Sequence, residues 1–405
     1  MNPSTAIVIG GGIAGCTTAH ALAQRGIKVT LLERNANIAS EASGNPIAML
    51  YPRLSGNDVA SQFALKAYEH SLQLYKSLNL AATSYNNCGL LQLGFNERES
   101  ARIQKVASQH YPASLLSYAS PQQASVIAGI DILHPALYFK AAAWLNPQAV
   151  CRRLLDHENI KEATSINAFN ILKNKDNYEV LSQEHDGKEL SLLAEVVVIA
   201  NANQAQSFSQ TKHLNTQAVR GQVSLLKATE ASEQLKTIVC SDGYFSPMVN
   251  GQHCLGATFS TEKSDCQPDD QDHLTNLESL KIISESLYHS LQSNITGGRV
   301  SMRCSSSDYF PLVGELLDCD ALKTNPPRPS APSHTLPKLK GLYANLAHGS
   351  KGFTSAPLCA ELLASFICKE PLPISNEIAG LLNPNRMILR EMGLKRLAKM
   401  IDTLH

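Results

Sequence analysis

The chain has 405 residues, 35 lysines and arginines against 35 aspartates and glutamates, and 43% hydrophobic side chains. That is enough apolar chain for a large buried core spread over more than one domain, and it excludes a disordered or low-complexity protein. Balanced charge excludes a uniformly basic nucleic-acid binder, and the apolar stretches are too short and too interrupted to span a bilayer.

Residues 5–24 are small and apolar, but no Lys or Arg precedes them and Gly10–Gly12 breaks the run, so they read as fold rather than export signal. The ten cysteines form no CxxC pair and no His/Cys cluster at metal spacing. Reduced thiols, no metal and a cytoplasmic location are the expectations.

The chain opens with a strand, Ala6–Ile9, a glycine turn, a helix from about Ile13 to Arg25, and a second strand, Lys28–Leu32, ending on Glu33. This is a β-α-β unit. A Ser/Gly/Asn/Pro-rich loop (40–57) leads to a helix over Val59–Leu78, and 89–95 and 132–146 read as strands. A helix over Pro147–His157, strands near 165–193 and a buried parallel strand, Glu195–Ala200, follow. Segments 219–227, 236–248 and 252–259 alternate like antiparallel strands, and 269–292 reads as one helix. Strand-like 308–313, a Pro-rich loop at 324–338, a core strand Gly341–Leu346, a helix Ser355–Cys368 and a basic helical tail close the chain. The expected fold class is α/β: a Rossmann-like dinucleotide-binding domain assembled from 1–85, 145–217 and 300–375. A smaller antiparallel-sheet α+β substrate domain takes 86–144 and 218–299, and the tail takes 376–405.

Gly10, Gly12 and Gly15 carry G-x-G-x-x-G spacing, with Ile13 and Ala14 opening the helix. The first glycine makes the tight turn, the second admits a pyrophosphate, the third lets helix and strand pack closely, and the helix N-terminus offers free N–H groups. Glu33, with Arg34 beside it, stands where a ribose 2′-OH is held. A carboxylate there disfavours NADP, while the motif itself does not separate NAD from FAD.

The motif, the loop Ala42-Ser43-Gly44-Asn45, the turn Trp144–Pro147, strand 195–200 and the segment Gly341–Gly352 resemble the FAD-dependent amine oxidases, the D-amino-acid oxidase and glycine oxidase superfamily. The resemblance covers about residues 5–368. It implies FAD, a D-amino-acid-oxidase-like fold, and a site in which Ser43, Gly44 and Asn45 lie near the pyrophosphate or flavin. Gly349, Ser350, Lys351, Gly352 and Phe353 then bound the flavin. Glycine-rich backbone and a helix N-terminus suit the edge of a flavin that gains negative charge on reduction, and Lys351 would add a positive charge there. Arg303 stands five residues before Asp308 in a stretch similar to the family's D-x-x-P-x-x-G segment, which implies carboxylate binding. Ser301 takes the place at which sarcosine-oxidase-like members carry a flavin-linked cysteine, so non-covalent FAD is expected.

Stretches at 45–55, 219–224, 241–247, 253–259, 354–358 and 382–386 resemble one branch, the FAD-dependent oxidoreductase half of the bifunctional tRNA 5-methylaminomethyl-2-thiouridine biosynthesis enzymes. That implies oxidative removal of the carboxymethyl group from 5-carboxymethylaminomethyl-2-thiouridine at the tRNA wobble position. The alternative is an oxidase of glycine, sarcosine or a D-amino acid. Branch members carry an S-adenosylmethionine-dependent methyltransferase ahead of the oxidase. Here the glycine motif begins at residue 10, so a separate methyltransferase is the expected partner. Ala142, Ala143, Ser307 and Lys351 depart from the branch pattern. Basic residues of the tail, from Arg386 onward, are expected to grip tRNA by charge, with no membrane contact. Trp144 is either a base-stacking residue or core.

Overall fold

The computed structural model describes residues 2–400. Its centre is a six-stranded sheet in the spatial order Leu312–Leu317, Lys338–Leu346, Val196–Ile199, Thr5–Ile9, Lys28–Glu33 and Ile160–Thr164. All neighbours are parallel except the first pair. Both faces are covered at the centre of the sheet, which is why Val196–Ile199 and residues 6–9 read as unbroken apolar runs. Ala6 and Val8 face a core shared with the helices Ile13–Ala23, Val59–Ser77, Pro147–Leu155 and Gly352–Cys368. Ile7 and Ile9 point the other way, into a core shared with Ile171, Tyr178 and Val180 of a three-stranded antiparallel sheet.

Local chemistry sets the helix ends. Asp58 accepts from the Ser61 N–H at 2.7 Å, and Asn146 accepts from the Ala149 N–H at 2.9 Å ahead of Pro147. Pro357 sits inside the helix Gly352–Cys368 and cannot donate to the Phe353 carbonyl. The Tyr75 hydroxyl donates to that carbonyl instead, at 2.7 Å, so the helix continues.

A second sheet has eight strands, running from Ile295–Ser306 through Thr216–Lys227, Gln252–Gly256, Tyr244–Phe245, Ile238–Cys240, Leu90–Leu93 and Ala136–Phe139 to Ser117–Ala119. It is antiparallel except where Ile238–Cys240 meets Leu90–Leu93. The strands Thr216–Lys227 and Ile295–Ser306 are continuous across 217/218 and 299/300, where the sequence placed domain boundaries. Arg303 therefore reaches the site from the antiparallel sheet. The expected helix over 269–292 is two helices, Asp270–Ile283 and Glu285–Leu291, separated by Ser284 in an extended conformation.

The tail is not a free basic arm. Arg386 is fully buried and clamps Asp308, with Nε 2.9 Å from one carboxylate oxygen and Nη2 2.5 Å from the other. Burial alone would raise the Asp308 pKa, but the Arg386 guanidinium holds it below the ordinary carboxylate value. Lys395, Arg396 and Lys399 remain exposed, and residues 401–405 of the expected tail lie outside the described residues.

Candidate functional site: a cofactor groove opening into a cationic cavity

The glycine turn is shaped by what cannot fit there. Gly10 has φ +113°, and a Cβ on it would lie 2.7 Å from the Ala200 carbonyl oxygen. A Cβ on Gly15 would lie 1.8 Å from the Gly10 carbonyl oxygen, so only glycine lets the helix dock. Glu33 is buried: one carboxylate oxygen accepts from the Gly11 N–H at 2.7 Å and the other from the Asn35 N–H at 2.8 Å. Arg34 turns to Glu41, with Nε donating at 2.8 Å. Ser43 Oγ accepts from the Ile13 N–H at 3.0 Å and lies over Gly12. A cleft of 80 Å³ bounded by Gly10–Gly12, Glu33, Arg34 and Ser43 shares Gly12, Ala42 and Ser43 with a cavity of 500 Å³. The two adjoin at these shared residues, with Glu33 beside the cleft and Arg303 on the cavity wall.

Arg299, whose role the sequence reading did not assign, holds this loop in place. Its Nη1 donates to Asn45 Oδ1 at 2.8 Å and its Nη2 to the Ser40 and Glu41 carbonyls. Nη2 also lies 2.7 Å from where a Cβ on Gly44 would sit. The partners are more than 250 positions apart in sequence, so local spacing carries no signal of the tether.

The large cavity is closed on one side by Gly349, Ser350, Lys351, Gly352 and Phe353, where the strand Lys338–Leu346 gives way to the helix Gly352–Cys368. Ala347 turns the chain with φ +63°, a left-handed conformation in a non-glycine residue. A buried relay fixes the loop to the first helix. Asn345 Nδ2 donates to Thr18 Oγ1 at 2.9 Å, and Asn345 Oδ1 lies 2.9 Å from His348 Nε2. His348 Nδ1 in turn lies 2.8 Å from Ser355 Oγ. Burial lowers the His348 pKa to about 4, so the ring is neutral and bridges Asn345 and Ser355 through its two nitrogens.

Arg303 lines the far side. Its Nη1 donates to the Thr258 carbonyl at 3.1 Å, and no carboxylate pairs with it among the described residues. Burial pulls its pKa below the ordinary guanidinium value, but the group stays a cation. Lys351 is open to the cavity yet ringed by protein. That burial, then Arg53 and Arg102, lower its pKa to about 8. Arg53 and Arg102 share Glu99, each 2.8 Å from one of its oxygens. With Asp242 added, the lining has four cationic side chains against two carboxylates, an arrangement suited to an anionic substrate. Ser301 and Cys304 also line it, and burial pushes the Cys304 thiol up to about 11. Trp144 is not at the site: it is buried in the core beneath the antiparallel sheet.

The family model for FAD-dependent oxidoreductases of the D-amino-acid oxidase (DAO) type matches residues 5–366. The chain belongs to this family. FAD is accordingly the cofactor of this DAO-type oxidoreductase, and the glycine turn, with the cleft and cavity that adjoin beside it, agrees with it. The chain is 44% identical, over 98% of its length, to the tRNA 5-methylaminomethyl-2-thiouridine biosynthesis bifunctional protein MnmC of Methylobacillus flagellatus, and covers 61% of that protein. It is 39% identical to the protein of the same name from Pseudomonas syringae pv. syringae, over 95% of this chain and 59% of that one. The chain thus spans about three fifths of the length of these relatives. L-proline dehydrogenase from P. horikoshii superposes with a TM-score of 0.77 at 19% identity, over 97% of this chain and 99% of that one. Glycine oxidase from Geobacillus kaustophilus gives 0.74 at 18%, over 93% and 97%. These likenesses establish the D-amino-acid-oxidase-like fold. Among the described residues no group of His, Cys, Asp and Glu suits a metal ion, and no helix is long and apolar enough to cross a membrane.

Proposed function

We propose that this DAO-type oxidoreductase removes the carboxymethyl group from 5-carboxymethylaminomethyl-(2-thio)uridine at the tRNA wobble position, leaving the 5-aminomethyl base. The observation that carries the reading is Arg303, a guanidinium on the cavity wall with no described carboxylate partner, in a chain whose relatives are named for tRNA 5-methylaminomethyl-2-thiouridine biosynthesis. The substrate side chain is an N-substituted glycine, and a planar cation is well matched to its carboxylate.

In this reading Gly10, Gly12, Ile13, Ala14 and Gly15 hold the pyrophosphate at the helix N-terminus, Glu33 and Arg34 bound the ribose end, and Ser43, Gly44 and Asn45 cover the middle. Gly349, Ser350, Lys351, Gly352 and Phe353 border the flavin. Bound FAD supplies a two-electron acceptor for the hydride of the glycine methylene. The amine loses its proton, and water splits the resulting imine into glyoxylate and a primary amine. The protein's part is positioning: the Thr258 carbonyl fixes one amino group of Arg303, and the rest of the guanidinium holds the carboxylate. Lys351 and the N–H groups opening the helix Gly352–Cys368 stabilise negative charge at the cavity edge.

FAD is held non-covalently in this account, because Ser301 offers no thiol and the buried Cys304 thiol is protonated at neutral pH. The exposed Lys395 and Lys399 contact the tRNA backbone, a methyltransferase acts on the product, and the setting is cytoplasmic. Product analysis tests the reaction. Holoenzyme incubated with modified tRNA is expected to release glyoxylate and leave the aminomethyl nucleoside, detected by mass spectrometry of the digested tRNA. An unchanged nucleoside refutes the assignment.

A further inference from the structure

Large hydrophobic side chains left in water need a reason when they border a site. Phe259 is 60% exposed, and among the exposed large hydrophobics it is the one that lines the catalytic cavity. It does not sit on a slack loop. Thr258 N–H donates to the Gln222 carbonyl at 3.1 Å and Thr258 Oγ1 accepts from the Gln222 N–H at 3.0 Å. Ser260 exchanges both backbone hydrogen bonds with Arg220, at 2.8 and 3.0 Å. Residues 258 and 260 are therefore tied to the strand Thr216–Lys227, with Thr258 buried and Phe259 turned out. The segment also carries the Thr258 carbonyl that holds Arg303, so one backbone segment both bears the aromatic ring and anchors the guanidinium.

We propose that Phe259 is a positioning and specificity residue: its ring stacks on the pyrimidine whose side-chain carboxylate Arg303 holds. This deepens the proposed function and rests on it. In the substrate a methylene–amine–methylene linker joins carboxylate to ring, so a site that anchors the carboxylate needs a flat apolar surface a short step away. An aromatic face one residue along from the Arg303 anchor supplies that. Free glycine and sarcosine carry the same carboxylate and amine but no ring, so they gain nothing from Phe259. Stacking is tolerant of base identity, so selection of the modified position comes from Arg303 and the ring contact together.

The test compares anaerobic flavin reduction by the nucleoside 5-carboxymethylaminomethyluridine and by sarcosine in wild-type, Phe259→Ala and Phe259→Trp holoenzymes. Phe259→Ala is expected to lower the nucleoside-to-sarcosine ratio of kcat/KM by roughly tenfold to a hundredfold. The loss should lie mainly in KM, because the contact is made before and during reaction alike. Phe259→Trp keeps the ratio near wild type. An unchanged ratio in Phe259→Ala, or an equal loss on both substrates, overturns the stacking role. If wild-type enzyme is reduced by modified tRNA and the ratio does not move, only this inference fails. If modified tRNA does not reduce the wild-type flavin, the proposed function fails and takes the stacking role with it.

Discussion

The two ends of the groove are built on opposite principles. At the Glu33 end backbone does the shaping: Gly10 and Gly15 are defined by side chains they lack, and the first helix packs against the sheet where a single Cβ would collide. At the Arg303 end side-chain charge does the shaping, with Arg303, Lys351, Arg53 and Arg102 drawn from segments far apart in sequence. The first end is intolerant of added atoms, while the second has room and depends on which charges line it.

The largest effect should come from breaking the steric end. Gly15→Ala places a carbon 1.8 Å from the Gly10 oxygen, a contact that only a backbone shift relieves. We expect destabilisation of about 3 kcal/mol or more and protein that purifies without flavin, read by thermal unfolding and visible absorbance. Stoichiometric FAD in Gly15→Ala would mean that helix docking does not set the cofactor site. Breaking the charged end should leave the cofactor alone. Arg303→Ala is predicted to keep its flavin spectrum and lose roughly 100- to 1,000-fold in kcat/KM for carboxylate-bearing substrates, with Arg303→Lys between. Comparable loss of FAD and turnover would erase the distinction between the two ends.

The smallest effect sharpens the comparison by pH. Lys351 has a pKa lowered from 10.5 to about 8 by burial, then by Arg53 and Arg102. Its positive charge is present below pH 8 and disappears as pH rises through that value. Flavin reduction should therefore slow by about tenfold or less across pH 7–9 in the wild type, and Lys351→Met should be slow and flat over the same range. A wild-type step that persists in Lys351→Met would assign the titration elsewhere. His348, with its pKa lowered to about 4 by burial, contributes no step in that window.

The steric end was legible because its information is local. A strand, three spaced glycines, a helix, a second strand and an acid lie within residues 5–33, and each choice there has one structural reason. The parallel strand at 196–199 and the 341–346 part of the strand Lys338–Leu346 were equally readable as core strands, while the polar start at 338–340 was not. The charged end was legible only where resemblance supplied it, at Arg303 and Lys351. Arg299 bracing the loop at 40–45, the Asn345–His348–Ser355 relay and the buried Arg386–Asp308 pair each join residues through the fold. No periodicity records such partners. The basic tail shows the hazard of counting charge without burial, since Arg386 is spent inside the protein. Aromatic content misleads in the same way: Trp144 is core, and Phe259, in an ordinary alternating strand pattern, is an exposed ring on the cavity wall.

In the proposed reaction an N-substituted glycine on a tRNA base delivers its electrons to the flavin in this site. Anaerobic visible spectroscopy of the purified holoenzyme tests it most directly, with tRNA bearing the carboxymethylaminomethyl wobble base, unmodified tRNA, glycine and sarcosine added in parallel. The modified tRNA is expected to bleach the flavin rapidly and unmodified tRNA not at all, with free amino acids far slower. Bleaching by glycine or sarcosine with no response to the modified tRNA would contradict it and place the chain among the small-molecule amine oxidases.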